Sequence, residues 1–387
     1  MKLAVDKNIK LLGLVSFLND MGSEMMKPLI PFFLEMVGGS TISLGVIGGF
    51  QEATATIFTI LFGYLSDKFK NRKIFIFLGY ITSAIFKFFL AFAQTASQVV
   101  LYSISERLGK ALRTAPRDAL ISDINTKVKG RDFGFHRMLD AAGSIVGSIV
   151  TVILFWWLHF EIRTILIAAA VLTVCAIIPL FFVHVEKQEQ KLERFSIKFN
   201  LLSRSFKKFL VVSAFFAMGN ISYLFFIVRA QQFFKGQWSV IAPIQLYVLF
   251  TLFYALFSFP VGIISDYVGR KIILLGGYSL MAIVVFGFAF LTHRWLLIIF
   301  FALYGIVRAI LEVGNRAYIS DLSQSTTIGT ALGTFFFVQG IVALVANLLA
   351  GWLSAISFER MFVVSGIWIL ISIGLFVFLL FNEKVEA

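Results

Sequence analysis

The chain is a succession of long apolar stretches separated by short polar ones, and this alternation limits its possible folds more than any other feature. A helix needs about 20 mostly apolar residues to cross the hydrocarbon core of a bilayer. The sequence predicts twelve such spans, at 8–34, 41–66, 74–94, 97–118, 133–158, 162–184, 209–234, 241–265, 271–292, 295–318, 328–355 and 359–382. We therefore expect an all-α integral membrane protein.

Composition excludes other common classes of protein. Of the 387 residues, 59% are hydrophobic and only 14% are charged, whereas roughly 25% are charged in soluble globular proteins. The chain therefore lacks the polar surface of a soluble enzyme. Its one cysteine, Cys175, cannot form an intrachain disulfide. Because the sequence contains neither a nucleotide-binding loop nor a cluster of residues with metal-ligand spacing, we expect no enzyme activity, no cofactor and no metal site.

The positive charges indicate an orientation in the membrane. The formal net charge is +13, and most Lys and Arg residues outside the spans fall in the polar segments 68–73, 113–131 and 185–208. Cytoplasmic loops of membrane proteins are enriched in Lys and Arg, so we expect both termini in the cytoplasm. The basic charge then reflects topology and contact with anionic lipid. We expect the lipid bilayer as a partner, and not a nucleic acid.

The two halves of the chain repeat each other. The longest polar stretch predicts a cytoplasmic linker at 185–208, between an N-terminal six-helix bundle at 1–184 and a C-terminal one at 209–387. Three short patterns recur at nearly the same place in each half: Gly63, Ser66 and Asp67 with Gly262, Ser265 and Asp266; 121–123 with 319–321; and Gly130 and Gly134 with Gly329 and Gly333. Duplicated six-span halves are typical of secondary transporters, whose sites lie near the middle of the bilayer.

The segment between spans 2 and 3, GYLSDKFKNRK, resembles motif A of the major facilitator superfamily (MFS), and GIISDYVGRK repeats it between spans 8 and 9. Together with QEATA at 51–55 and RLGKALRTAPRDALISD at 107–123, it is similar to a bacterial permease branch that resembles drug/proton antiporters. The resemblance implies the MFS fold, with twelve transmembrane helices in two pseudo-symmetric six-helix bundles. It also implies a bacterial plasma (inner) membrane, and we expect a monomer.

The resemblance implies a gate at the cytoplasmic ends of the spans. In the superfamily the motif A aspartate, here Asp67, meets a neighbouring helix and an arginine of span 4, for which Arg113 is the candidate. The first copy has Lys70 and Asn71 where the family has Gly and Arg, and Asn71 is expected to tolerate a left-handed turn there. The predicted gating residues are Gly63, Asp67, Lys68, Arg72, Arg113, Gly262, Asp266, Gly269 and Arg270.

Charged residues inside the spans point to a transport site. Each costs at least a few kcal/mol near the bilayer centre, so it needs a partner or an aqueous cavity. Asp20 and Glu24 share one face of span 1, where partial burial would suit a carboxylate for proton coupling. A structural ion pair within one helix, such as Arg137 with Asp140, is the alternative. The predicted substrate- and proton-coupling residues are Asp20, Glu24, Glu52, Glu106, Arg107, Lys110, Arg229, Arg308 and Glu312.

Arg107 is the charge that we expect to contact an anionic solute. It lies about ten residues into span 4, which at 1.5 Å per residue is about 15 Å, or half of the hydrocarbon core. A guanidinium is always charged, and in the empty carrier we expect Asp20 or Glu24 to compensate it. Drug antiporters of the superfamily usually have an arginine in span 4. That arginine aligns with Ser103 of this chain, one turn before Arg107.

Two pairs of glycines four residues apart predict close helix packing. Gly45 and Gly49 lie in span 2, and Gly143 and Gly147 lie in span 5; small residues at this spacing let helices approach closely. The second pair also resembles a motif of antiporters, but Ser148 replaces its proline. Helix packing alone accounts for the pair equally well.

The function predicted from these features is secondary active transport by alternating access, coupled to protons. Intramembrane charges of both signs suit an anionic or zwitterionic solute. We expect efflux, by antiport, of a small amphiphilic or anionic organic solute. The alternative is proton-coupled uptake of an organic anion or of a metal chelate of the siderophore kind.

Overall fold

The computed structural model describes residues 6–69, 71–124, 129–184, 202–323 and 328–381. Outside these ranges lie Lys70, residues 125–128 of the polar segment 113–131, and residues 185–201 of the predicted linker. Within the described ranges, every regular element is helical.

The chain forms two compact units. The first unit comprises Met1–Gly39 and Thr54–Phe195, and the second comprises Ser40–Ala53 and Ser196–Ala387. The helices before the linker are α1 (Lys7–Met26), α2 (Ile30–Met36), α3 (Thr41–Lys68), α4 (Arg72–Ala91), α5 (Ala96–Ile124), α6 (Lys129–Val152), α7 (Ile162–Cys175) and α8 (Ile178–Phe181). The remaining helices are α9 (Arg204–Gly219), which begins within the segment predicted as the linker, α10 (Tyr223–Gln231), α11 (Trp238–Val268), α12 (Arg270–Ala289), α13 (Leu296–Asp321), α14 (Ile328–Ile356) and α15 (Phe358–Phe376).

These helices make twelve spans, because short turns join α1 to α2, α7 to α8 and α9 to α10 into one span each. Ten spans of the described chain are long and apolar enough to cross a membrane by length and composition alone. The other two are α1 with α2, and α5, whose intramembrane charges lower their hydropathy. With 29 residues, α5 is still about 43 Å long, which exceeds the hydrocarbon thickness. The predicted all-helical fold of twelve spans is confirmed.

Local sequence signals determine where the helices bend and end. Pro28 lies in the 3-10 turn Lys27–Leu29 that joins α1 to α2, and Pro31 lies in the first turn of α2. Proline donates no backbone hydrogen bond, so it is tolerated at the start of a helix but not in its interior. The third span was predicted to reach residue 94, but α4 ends a turn earlier. A capping box begins α5 there: the Gln98 side chain accepts the backbone N–H of Thr95, and the Thr95 hydroxyl accepts that of Gln98, both at 3.3 Å.

The seventh span is interrupted, although the sequence predicts a continuous span at 209–234. Between α9 and α10 the Ser222 hydroxyl caps the new helix by accepting the backbone N–H of Leu224 at 3.4 Å. The backbone N–H of Ser222 itself donates to Asn347 Oδ1 of α14 at 2.8 Å. Backbone groups at membrane depth need a hydrogen-bond partner. Asn347 supplies one for the backbone N–H of Ser222, where the helix is interrupted.

The predicted glycine pairs lie at close helix contacts. In the first unit, Gly143 and Gly147 of α6 face the backbone of α1 so closely that a β-carbon would overlap α1 carbonyl oxygens. In the second unit, Gly45 and Gly49 of α3 pack on α14 beside Gly351. Both pairs therefore serve helix packing, as predicted.

Gly147→Ala is expected to destabilise the protein, whereas Gly134→Ala on the same helix is not. A β-carbon at Gly147 would overlap the carbonyl oxygen of Met21, while nothing lies within 4 Å of one at Gly134. Overpacking of this kind costs about 1–3 kcal/mol. Thermal unfolding of the two purified variants in detergent should show a lowered midpoint for Gly147→Ala only; equal midpoints would contradict the packing role.

Aromatic side chains fill the core of the second unit. Phe226 of α10 stacks on Tyr304 of α13 at 4.5 Å between ring centroids and meets Phe288 of α12 and Phe362 of α15 edge-on at 4.9 and 5.1 Å. All four rings are buried. This cluster joins four helices next to the interruption of the seventh span.

Candidate functional site

Five charged residues of the first unit lie near one another within the spans. We call Asp20 of α1, Lys87 of α4, and Glu106, Arg107 and Lys110 of α5 the first-unit cluster. Glu106 lies at its centre, with Oε2 3.6 Å from Arg107 Nε and Oε1 4.0 Å from Lys87 Nζ. The cluster therefore shares one buried carboxylate between two cations.

Arg107 has an acid of its own helix beside it. Glu106 Oε2 lies 3.6 Å from Arg107 Nε. That Asp20 or Glu24 also compensates Arg107 stays a prediction. Glu24 is buried and pairs with Lys27, one turn along the same span, because residues three apart on a helix are neighbours.

Lys110 adds a further positive charge to the first-unit cluster. Its side chain is exposed and forms no ion pair with any residue in the described ranges. The groups that act on it electrostatically are Arg107, Lys27 and Arg113, all cations, and Asp20, an acid. Since an exposed ammonium within a span requires water or a counter-ion, Lys110 marks an accessible part of the cluster.

Lys87 is the member of the cluster that the prediction of site residues missed. It is the one charged residue in the apolar interior of α4, and only 1% of its surface is exposed to solvent. Nζ donates to Ser23 Oγ at 2.7 Å and to Thr173 Oγ1 at 3.0 Å. A lone lysine in an otherwise apolar span is a signal that hydropathy analysis can find, but its partners on α1 and α7 are visible only in three dimensions.

The second unit holds its own group of predicted site residues. The Tyr254 hydroxyl of α11 donates to Glu312 Oε2 of α13 at 2.9 Å, and Glu312 lies 3.9 Å from Arg308 Nε one turn away. Glu52, in the part of α3 that belongs to this unit, is exposed and acts electrostatically on Arg308. The second-unit group, Glu52, Tyr254, Arg308 and Glu312, therefore has more acids than bases.

Arg229, another predicted site residue, contacts other helices of the second unit. Its guanidinium pairs with Glu359, at the start of α15, at 2.7 Å. It also donates to the Gln232 side chain at 2.8 Å and to the Phe288 carbonyl at 3.4 Å. A buried guanidinium with its donors used in this way ties α10 to α12 and α15, which is a structural role.

The first copy of motif A does not form the predicted pair between Asp67 and Arg113. Asp67 is instead bound by Arg72, at 3.1 Å from Nη2, beside the exposed Lys68. Arg113 is buried, donates to Ser83 Oγ at 2.6 Å and lies over the Tyr80 ring at 4.6 Å. Arg113 therefore contacts side chains of α4, and Asp67 contacts Arg72.

Two other features of this turn follow from local geometry. Asn71 is not left-handed, since its φ is −140°; its side chain caps α4 by accepting the backbone N–H of Ile74 at 3.2 Å. A β-carbon on Gly63 would lie 3.0 Å from that of Ala115 on α5. Gly63 thus allows α3 and α5 to come close just before the motif ends.

The second copy of motif A has an additional partner that the sequence did not indicate. Arg270 pairs with Asp266, and its Nε lies 3.5 Å from Asp321 at the end of α13. Gly269 precedes it with a φ of 100°, a conformation that favours glycine. Gly262 has only an ordinary contact, with Val313. The repeated Ile-Ser-Asp pattern contains Asp321, so this repeat could have suggested the pair; the Asp123 side chain of the first copy lies outside the described set.

A further polar network surrounds His136 in the first unit. Ser16 Oγ of α1 lies 3.0 Å from His136 Nε2 of α6 and accepts from Arg117 Nη1 of α5 at 2.8 Å. Nearby, Arg137 pairs with Asp140 at 3.3 Å, which confirms that predicted ion pair. These residues tie α1, α5 and α6 together.

Comparison with known proteins identifies the family. The sequence profile described as Major Facilitator Superfamily matches residues 12–244 and 210–387. The chain is 42% identical to an uncharacterized MFS-type transporter, MJ1317, of Methanocaldococcus jannaschii over 95% of this chain and 94% of that protein. It is 30% identical to the multidrug resistance protein MdtH of Aeromonas hydrophila, over 43% of this chain and 41% of that one. A mutant of the nucleoside transporter NupG has a similar fold, with a TM-score of 0.83 at 14% identity, covering 97% of this chain and 100% of that one.

Proposed function

Because the chain belongs to the major facilitator superfamily and is a secondary transporter of that type, we propose that it carries a small organic anion together with a proton. The observation that supports this is the surplus of positive charge in the first-unit cluster. Lys87, Arg107 and Lys110 face two acids, Asp20 and Glu106. A surplus cation inside a span is costly unless an anion compensates it, and the accessible pair of Arg107 and Lys110 is where the solute would bind.

The sign of this charge also bears on the direction of coupling. A bound anion and a bound proton attract each other, so each increases the affinity of the site for the other. Solute and proton then bind in the same state and cross together. An inward proton gradient drives uptake under these conditions, which favours the alternative reached from the sequence over antiport.

Export remains a second candidate because of one observation. The relative MdtH is named as a multidrug resistance protein, and its similarity covers 43% of this chain. An exporter that exchanges solute for protons would need the two to compete for one site, and an acid of the second-unit group, Glu52 or Glu312, would serve a cationic solute in that way.

We further propose a plasma membrane location with both termini in the cytoplasm. The support is the concentration of Lys and Arg in the segments that follow even-numbered spans, as cytoplasmic loops require.

Transport by purified protein in lipid vesicles tests the proposal. A thermal-stability screen of carboxylates, phosphorylated metabolites, amino acids and lipophilic cations first identifies a ligand. Accumulation is then measured under pH gradients of either sign, with Lys110→Gln as the test variant and the exposed Lys207→Gln as a matched control. We expect the screen to identify an anion, and we expect this anion to accumulate in the compartment toward which protons flow. Accumulation in the opposite compartment would support export, and stabilisation by cations alone would reject the anion proposal.

Asp67→Asn is expected to change the balance of conformations and to leave stability nearly unchanged. Asp67 and Arg72 form a partly exposed ion pair, and such pairs contribute about 0.2–1 kcal/mol. If motif A acts as the proposed cytoplasmic gate, the variant opens more often on that side. In a Cys175→Ser background, single cysteines labelled from either side with an impermeant maleimide would report this; labelling equal to that of the parent would reject the gate.

A further inference from the structure

Lys87 lies where four helices of the first unit meet. Its Nζ is 2.7 Å from Ser23 Oγ and 3.4 Å from the Asn19 carbonyl of α1, 3.0 Å from Thr173 Oγ1 of α7, and 4.0 Å from Glu106 Oε1 of α5. The nearest atoms are therefore neutral oxygens, and the nearest carboxylate is at the limit of an ion pair. An ammonium buried in this way has lost its water without gaining a close counter-ion.

The two hydroxyls beside Lys87 suit either form of its amine. Ser23 Oγ donates to the Asn19 carbonyl and Thr173 Oγ1 donates to the Ala169 carbonyl, each at 3.0 Å and each four residues back. In this arrangement both hydroxyls accept from the ammonium. Rotation of either hydroxyl would instead supply a donor to a neutral amine, which has a free electron pair. The site can therefore satisfy Lys87 with or without its proton.

The charges that face Lys87 link it to the proposed solute site. From α5 these are Glu106, Arg107 and Arg113, and from α1 it is Asp20; the contact from α7 is the uncharged Thr173. Glu106 is shared, since Arg107 lies 3.6 Å from it. An anion bound to Arg107 would weaken the hold of that cation on Glu106 and leave the carboxylate to Lys87.

We propose that Lys87 is the group that binds and releases the transported proton, an inference that rests on the proposed function. In the release step an N–H bond of the ammonium breaks, the electron pair stays on Nζ, and the proton passes to water. The reverse step takes up a proton on the other side of the membrane. Solute binding favours the ammonium through Glu106, and solute departure favours the neutral amine.

Solid-state NMR of the full chain in lipid vesicles tests this without any solute. The lysine side chains are labelled with ¹⁵N, whose chemical shift differs between ammonium and amine. The Lys87 signal is assigned as the one that is lost in the Lys87→Arg variant. If that variant does not fold, the signal is assigned as the one whose chemical shift changes in Thr173→Val, a substitution that keeps the side-chain shape. The exposed Lys207 is the internal control.

We expect the Lys87 signal to convert between ammonium and amine over the pH range in which transport is coupled, while Lys207 stays an ammonium. Glu106→Gln should change the pH at which the conversion occurs. A Lys87 signal that stays ammonium throughout would overturn the proposal and leave Lys87 a structural tie. A conversion that Glu106→Gln does not change would overturn its link to the solute site. Because no solute is present, failure of the anion proposal would appear only in the transport assay.

Discussion

Arg107→Gln is expected to weaken binding of the anionic solute by about 10- to 100-fold. Arg107 is partly exposed, with 14% of its side chain accessible, and lies beside the central carboxylate of the first-unit cluster. A hydrogen bond to a charged group contributes about 1.5–3 kcal/mol, and glutamine retains neither the charge nor the paired donors of the guanidinium. Affinity is measured by the ligand-dependent shift of the thermal unfolding midpoint.

Two control variants separate charge from size at this position. Arg107→Lys keeps the positive charge and should keep part of the affinity. Arg163 lies at the start of α7, about 15 Å along that helix from Thr173, and its guanidinium donates to the Ala93 carbonyl. The Arg163→Gln variant should therefore bind the solute like the parent protein. If Arg107→Gln binds the solute as tightly as the parent, Arg107 is a structural ion-pair partner only.

Glu106→Gln is expected to have the opposite effect on affinity, tightening anion binding while slowing transport. The substitution removes the negative charge of Glu106 and so raises the positive surplus of the first-unit cluster by one charge. A unit charge at about 8 Å in an effective dielectric of about 20 contributes about 2 kcal/mol, or roughly 30-fold in affinity. The solute then leaves slowly, and the link between solute and Lys87 is broken.

Equilibrium binding and vesicle transport are measured together for this variant. Removing one partner of a buried ion pair costs about 3–5 kcal/mol, so the folded fraction is checked by size exclusion, and Glu106→Asp serves as the variant that keeps the charge. Weaker binding in a folded Glu106→Gln protein would show that Glu106 contacts the solute directly, against the arrangement proposed here.

Some of the candidate site could be predicted because it lies on one helix. Glu106, Arg107 and Lys110 are close in sequence, so their nearness on α5 follows from helix geometry. Glu24 with Lys27 and Arg308 with Glu312 are close for the same reason, although their pairing was not singled out. The sequence did not indicate partners that lie on another element, such as Glu359 for Arg229. It also did not indicate that Arg72, close in sequence, would pair with Asp67 in place of Arg113.

The sequence by itself determined the membrane location, the twelve spans, the repeated halves and the family. These depend on the length and apolarity of single segments and on short motifs, which are properties of consecutive residues. Only the tertiary structure decided that Lys87 meets Ser23 and Thr173, that the seventh span breaks beside Asn347, and that the first half of α3 groups with the second unit. The reason is that lipid is as apolar as most helix surfaces, so hydropathy does not select which helices meet; close shape complementarity and a few polar contacts do.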